Sequence, residues 1–92
     1  MDDIKWTTLT GKRAQGFKEA YFTSEVQTLG ECYQSCSEAK KDAYKRCEDI
    51  RLQMGGKHPR ILSASTFHFV YGYLFGTALH VITPAHNYQI EL

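Results

Sequence analysis

The chain has 92 residues, of which 11 are Lys or Arg and 10 are Asp or Glu, giving a formal charge of +1. This length fits one compact domain with a thin core, and the balanced charge lacks the strong positive field of duplex-DNA binders. We therefore expect a single domain over residues 1–92. The net charge does not indicate which kind of molecule the protein binds.

The sequence also predicts where the protein resides. Its apolar runs fall far short of the roughly 18–20 residues that span a bilayer, and Met1–Asp2–Asp3 is acidic where a secretory signal peptide is basic. Cys32, Cys36 and Cys47 are odd in number and fall within one predicted helix, unlike the disulfide framework of a small secreted domain. We expect a cytoplasmic protein with reduced thiols and no membrane association.

The first predicted element is a strand over residues 4–10, which are rich in β-favouring side chains and end at a turn at Gly11–Lys12. Residues 13–22 are ambiguous. The apolar spacing there suits a short helix, whereas Gly16 and the Tyr21–Phe22 pair suit a second strand that closes a hairpin. We favour the strand.

A long amphipathic helix is predicted over residues 24–54. Ser24 can cap its first backbone amides, Gln27 can complete a capping box, and Gly55–Gly56 ends it. The residues spaced by three and four on one face are Val26, Leu29, Tyr33, Cys36, Lys40, Ala43, Cys47, Ile50 and Met54. About thirty residues would give a rod of roughly 45 Å. Such a rod would overhang its sheet, and the overhang is a candidate interface for a protein partner or a homodimer.

Beyond Pro59 the apolar period changes to two, which predicts one long strand over residues 61–75, either straight or bent near Gly72. Gly76–Thr77 indicates a turn, and residues 79–83 and 88–92 form two shorter predicted strands. The predicted fold class is α+β. It has an antiparallel sheet of about four to five strands with one long helix packed across one face, in the order ββ-α-βββ.

Motifs for catalysis or metal binding are weak. Cys32 and Cys36 are one helical turn apart and could share a metal, but they lie on or beside the apolar stripe and form no Cys-x-x-Cys pair. Gly55–Gly56–Lys57 lacks the spacing of a phosphate-binding loop, and no nucleophile elbow or zinc-protease helix occurs. We expect packed core thiols, no metal, no cofactor and no enzymatic activity.

The aromatic row of the long strand has two interpretations. It can form the apolar face on which the helix packs, which is the favoured one. Alternatively, it can be a platform on which single-stranded nucleic acid stacks, with nearby basic residues on the phosphates. The candidate partner-binding residues are Phe67, Phe69, Tyr71, Tyr73, Lys57, Arg60, Lys45 and Arg46.

The leading functional hypothesis is a small non-enzymatic module that binds another protein through exposed aromatics and the helix overhang. Motif-free chains of this size are common among accessory proteins of phages and mobile elements that inhibit or modulate a host protein, which is an association and not a deduction. Binding of single-stranded nucleic acid is the alternative.

Overall fold

The fold is described from a computed structural model. The structure describes residues 4–23, 26–34, 36–64 and 69–92, without the side chains of Glu31 and Cys32. The class is α+β, as expected. The elements are β1 (Thr7–Thr8), α1 (Lys12–Phe22), α2 (Leu29–Tyr33), α3 (Glu38–Met54), β2 (Lys57–Ala64), β3 (Phe69–Phe75), β4 (Ala78–Ile82) and β5 (Asn87–Glu91).

The five strands form one sheet in the order β1-β5-β4-β3-β2. Strands β2 to β5 are an antiparallel meander, whereas β1 pairs with β5 in parallel, with Thr7 opposite Tyr88. The sheet is therefore mixed, and the expectation of a purely antiparallel sheet was wrong. No hairpin fixes the direction of β1, because most of the chain separates it from β5, and a parallel pairing needs such a long connection.

The predicted helix over residues 24–54 is two helices, α2 and α3. Helix α3 begins after Ser37, whose Oγ accepts the Lys40 N–H at 3.4 Å, while the predicted cap at Ser24 lies outside the described residues. The 17 residues of α3 are about 26 Å long, so the expected rod of roughly 45 Å is not formed. No helix in the described ranges is both long and apolar enough to cross a membrane.

Residues 13–22 were predicted as a strand and form helix α1 instead. Ala14 and Tyr21 are buried on the sheet, and Phe17 between them is half-buried. These spacings of three and four place the three side chains on one side of a helix. The sheet face that the prediction left open is consequently covered in part by α1, and the element order ββ-α-βββ was wrong.

The predicted strand over residues 61–75 is not one strand, because its described residues belong to β2 and β3, which pair antiparallel with Ile61 opposite Tyr71, and residues 65–68 lie outside the described part. A period of two persists through both strands of a hairpin, which is why the pattern did not reveal the reversal. The turn at Gly76–Thr77 and the two strands after it are confirmed within one residue at each end, as β4 and β5.

Each sheet face carries its own hydrophobic core. On one face, Tyr44 and Cys47 of α3 pack against five residues of the sheet, Ile61, Phe69, Tyr71, Tyr73 and Ile82. On the other face, Ala14 and Tyr21 of α1 pack against Leu79, Val81, Tyr88 and Ile90. Phe69, Tyr71 and Tyr73 therefore lie beneath α3, which confirms the core interpretation for this part of the aromatic row.

Candidate functional site

The predicted aromatic platform is largely inside the protein. Phe69 is 6% exposed, and Tyr71 and Tyr73 are 0% exposed. The Tyr44 ring of α3 packs against Phe69 at a centroid distance of 4.3 Å. Phe67 lies outside the described residues. The three described rings offer no open face on which a base could stack.

The predicted basic residues are dispersed over the molecule. Lys45 and Arg46 are exposed on α3, and Lys57 is exposed at the start of β2. Arg60 lies on the opposite sheet face, where its guanidinium is 5.7 Å from the centre of the Tyr21 ring. The structure therefore does not join these four cations into one strip beside the aromatic row.

The Glu48 carboxylate of α3 links the helix to the sheet by hydrogen bonds. Glu48 accepts the Tyr71 hydroxyl at 2.7 Å and the Arg51 Nε–H at 3.0 Å, and Arg51 also donates to the Gly56 carbonyl at 2.6 Å. The hydrogen bond from Arg51 lowers the pKa of Glu48 against the opposing effect of burial. Burial, followed by the bond to Glu48, raises the pKa of Tyr71. We interpret this group as a structural clamp.

Three rings form a second buried polar cluster on the same face. Trp6 packs edge-on against His80 at 4.6 Å, and Tyr73 stacks on His80 at 5.4 Å. Trp6 Nε1, Tyr73 Oη and His80 Nδ1 are buried without a hydrogen-bond partner among the residues that the structure describes. Burial lowers the pKa of His80, and Glu91 opposes that shift. His80 is 4% exposed and cannot meet a substrate from solution.

The cysteines support a packing role more than a reactive one. Cys47 is buried, and burial raises the pKa of its thiol to about 12. Cys36 is half-buried, with its sulfur 3.5 Å from the Tyr44 hydroxyl. No group of three or more His, Cys, Asp or Glu that could hold a metal occurs within the described part of the chain.

An open groove lies beside α1 in the part of the chain that the structure describes. Arg13 near the start of α1 lies 5.2 Å from the Tyr88 ring of β5, and Tyr21 near its end donates a hydrogen bond to the His58 carbonyl of β2. The helix thus crosses the sheet diagonally and leaves uncovered the corner of the face where Leu62 and Val70 lie half-exposed.

This α1–β2 groove consists of two adjoining hollows of about 420 and 360 Å³, which share Ala20, Leu62 and Ser63. Its lining residues are Arg13, Gly16, Phe17, Ala20, Thr23, Val26, Gln27, Ile61, Leu62, Ser63, Ala64 and Val70. The groove is open on the side of α1 at Gly16, which has no side chain and where an added Cβ would meet nothing within 4 Å. Arg13 is the only charged residue among these twelve.

Sequence reasoning missed this groove because it took residues 13–22 for a strand. The available signal was the pair Gly16 and Ala20, four residues apart, which places two small side chains on one helical face beside Phe17. No protein family, curated protein or solved structure matches the chain. A functional argument therefore starts from the groove itself.

Proposed function

We propose that the protein is a non-enzymatic module that binds a segment of another protein in the α1–β2 groove. The observation that carries this proposal is the partly exposed apolar floor formed by Leu62 and Val70, with Phe17 at its side. Concave apolar sites with a few polar groups are where proteins bind partners and ligands.

The polar chemistry of the groove supports binding over catalysis. Its polar lining side chains are Arg13, Thr23, Gln27 and Ser63. They provide hydrogen-bond donors and acceptors, and no carboxylate, imidazole or thiol that could act as a general acid, a general base or an activated nucleophile occurs among the lining residues that the structure describes. The groups with shifted pKa values, such as His80 and Cys47, are buried elsewhere.

The kind of partner protein is a further part of this proposal. An accessory protein of a phage or mobile element that inhibits a host protein would use the groove as its contact surface in place of the expected helix overhang. Dimerisation through the long helix loses its original motivation, because the expected 31-residue helix is replaced by α3, which has 17 residues. Stacking of nucleic-acid bases is likewise disfavoured, because the rings of Phe69, Tyr71 and Tyr73 are buried.

Selection from a random peptide display library tests the proposal. The wild-type protein is immobilised, and the enriched peptides are measured against Gly16→Leu, in which the new side chain fills the groove from the helix side. The variant should fold, because Leu is a better helix former than Gly by roughly 0.5–1 kcal/mol. Enriched peptides should lose at least about tenfold in affinity, or 1.4 kcal/mol.

Gly30→Leu is the matched control. Gly30 also lies in a helix, α2, and its Cβ position is equally open, but it lines neither hollow. Peptides should bind this variant as they bind the wild type. If every enriched peptide binds wild type and Gly16→Leu alike, the groove is not the binding site and the proposal fails.

A further inference from the structure

We infer that the segment bound in the groove is an extended, acidic stretch of the partner protein with apolar side chains at alternate positions. This inference rests on the proposed function and specifies the chemistry of the occupant. Two properties of the groove carry it, namely the shape of its two hollows and the sign of the charge around them.

The shape of the groove favours an extended chain. One hollow meets α1 over residues 13–20 and the other over residues 20–23, so their centres are about five residues, or roughly 7.5 Å, apart along the helix. Alternate side chains of an extended strand are about 6.6–6.8 Å apart. A bound helix fits less well. One turn of a helix about 10 Å wide would occupy about 420 Å³, so a single turn would fill the whole of the larger hollow.

The charge around the groove is positive at both ends. Arg13 lies at one end, where it packs on the Phe17 and Tyr88 rings at 5.8 and 5.2 Å. Lys40 lies at the other, where its Nζ donates to the carbonyl of Ala64, a lining residue, at 3.1 Å. Arg60 is on the same sheet face, over the Tyr21 ring.

These three cations belong to a chain of formal charge +1, so the remainder of the chain carries −2. Among the described residues, Arg13 and Lys40 place positive charge at the two ends of the groove. Glu19, on α1, pairs with Gln15 one turn away and lines neither hollow. Complementary charge raises the association rate and discriminates against partners of the wrong sign, so a carboxylate-bearing segment is the matching occupant.

A peptide fits this groove better than a polyanionic nucleic acid does. Among its described lining residues, Phe17 is the one aromatic side chain, and that ring is already stacked on Tyr88 at 6.3 Å with Arg13 above both. The floor is aliphatic, formed by Leu62 and Val70. Bases that leave a stack need open aromatic faces, whereas Val or Leu side chains need an aliphatic floor.

The test uses fluorescein-labelled peptides and anisotropy at low and at physiological salt. The acidic peptide alternates Glu or Asp with Val or Leu. A second peptide has Lys and Arg in place of every acid, a third contains the same residues as the first with acids and apolar residues in separate blocks, and a short oligothymidine represents nucleic acid. The acidic alternating peptide should bind best, and more weakly as salt rises.

Arg13→Glu and Arg46→Glu form a matched pair of charge reversals. Both positions are exposed, but Arg46 is on α3, away from the groove. Thermal unfolding checks that both variants fold. Arg13→Glu should weaken binding of the acidic peptide by about tenfold or more, and Arg46→Glu should leave it within about twofold.

The outcomes separate this inference from the proposed function. If basic or blockwise peptides bind as well as the acidic one, or if Arg13→Glu has no effect, the inferred chemistry is wrong. The proposed function then still stands, provided that library peptides depend on Gly16. If oligothymidine binds and Gly16→Leu blocks it while no peptide binds, both are wrong and the groove is a nucleic-acid site. If library and designed peptides all fail to bind, both are wrong as well.

Discussion

Replacing Gly56 by Ala tests the packing at the end of α3 most directly. A Cβ at this position would lie 2.0 Å from Cδ2 and 2.4 Å from Cε2 of Tyr73. That ring is 0% exposed and is held between Trp6 and His80. Because the contacted atoms are in the body of the ring, a rotation of the side chain within its present cluster does not relieve the overlap.

The expected loss of stability is at the upper end of the range for overpacking, about 3 kcal/mol. A chain of this length unfolds with an entropy of about 2 cal/mol/K per residue, so the melting temperature should fall by roughly 15 °C. Total stabilities of such domains are of order 5–14 kcal/mol. The variant should therefore remain folded at room temperature, where urea unfolding measures the difference.

Gly55→Ala is the adjacent control. Gly55 caps α3 in the left-handed conformation with φ 76°, and its added Cβ would come no closer than 3.9 Å to Phe75. Its cost should be the conformational one alone, about 1–2 kcal/mol. In a Tyr73→Leu background the Gly56→Ala penalty should shrink by about 1–3 kcal/mol. A Gly56→Ala protein as stable as Gly55→Ala would refute the assigned packing of Tyr73.

Three further predictions concern buried polar groups. Since the pKa of His80 is lowered by burial, the unfolded chain takes up the proton first, so the free energy of unfolding should fall as pH drops below about 6.5. His80→Leu should remove that dependence, and equal wild-type stability at about pH 7.5 and 5.5 would contradict it. Tyr71→Phe should cost about 1.5–3 kcal/mol in urea unfolding by removing the bond to Glu48, and a loss below about 0.5 kcal/mol would argue against the clamp. In a folded Cys32→Ser variant, a thiol reagent at about pH 8 should label Cys36 well before Cys47. Equal labelling rates for the two thiols would contradict the buried position of Cys47.

The two adjacent glycines show what sequence reasoning could and could not deliver here. The pair Gly55–Gly56 predicted a helix end, and α3 does end at Gly55, whose N–H bonds to the Leu52 carbonyl. The left-handed cap explains Gly55 alone. Gly56 is required because Tyr73, far along the chain, packs against its Cα, and no local pattern reports such a contact.

The errors over residues 24–54 and 61–75 share a physical cause. The period of apolar residues shows which face of an element is buried, but it does not show where the chain breaks or reverses direction. The apolar spacing of residues 24–54 continues across the break before Ser37, because both helices bury residues against the same core. The alternation over residues 61–75 continues through the β2–β3 hairpin for the same reason. The last two strands were predictable because the turns beside them carry Gly76 and Pro84, which are local signals.

The contrast between the two sheet faces strengthens the case for the groove. Five strands are about 19 Å wide, so one helix about 10 Å wide leaves part of each face uncovered. Beside α3, the uncovered side chains on β5 are Asn87, Gln89 and Glu91, which are opposite Ile82, His80 and Ala78 and so share their face. Those positions are polar, as exposure to water requires.

Beside α1, the side chains of Leu62 and Val70 are apolar and only partly buried. They pack in part against the core beneath that helix, which contains Leu79, Val81 and Ile90, and the rest of their surface faces the groove. Burying the remaining exposed surface of two such side chains in a complex would contribute about 25 cal/mol for each Å² covered. A partner bound in the groove would cover the remaining exposed surface of these two side chains.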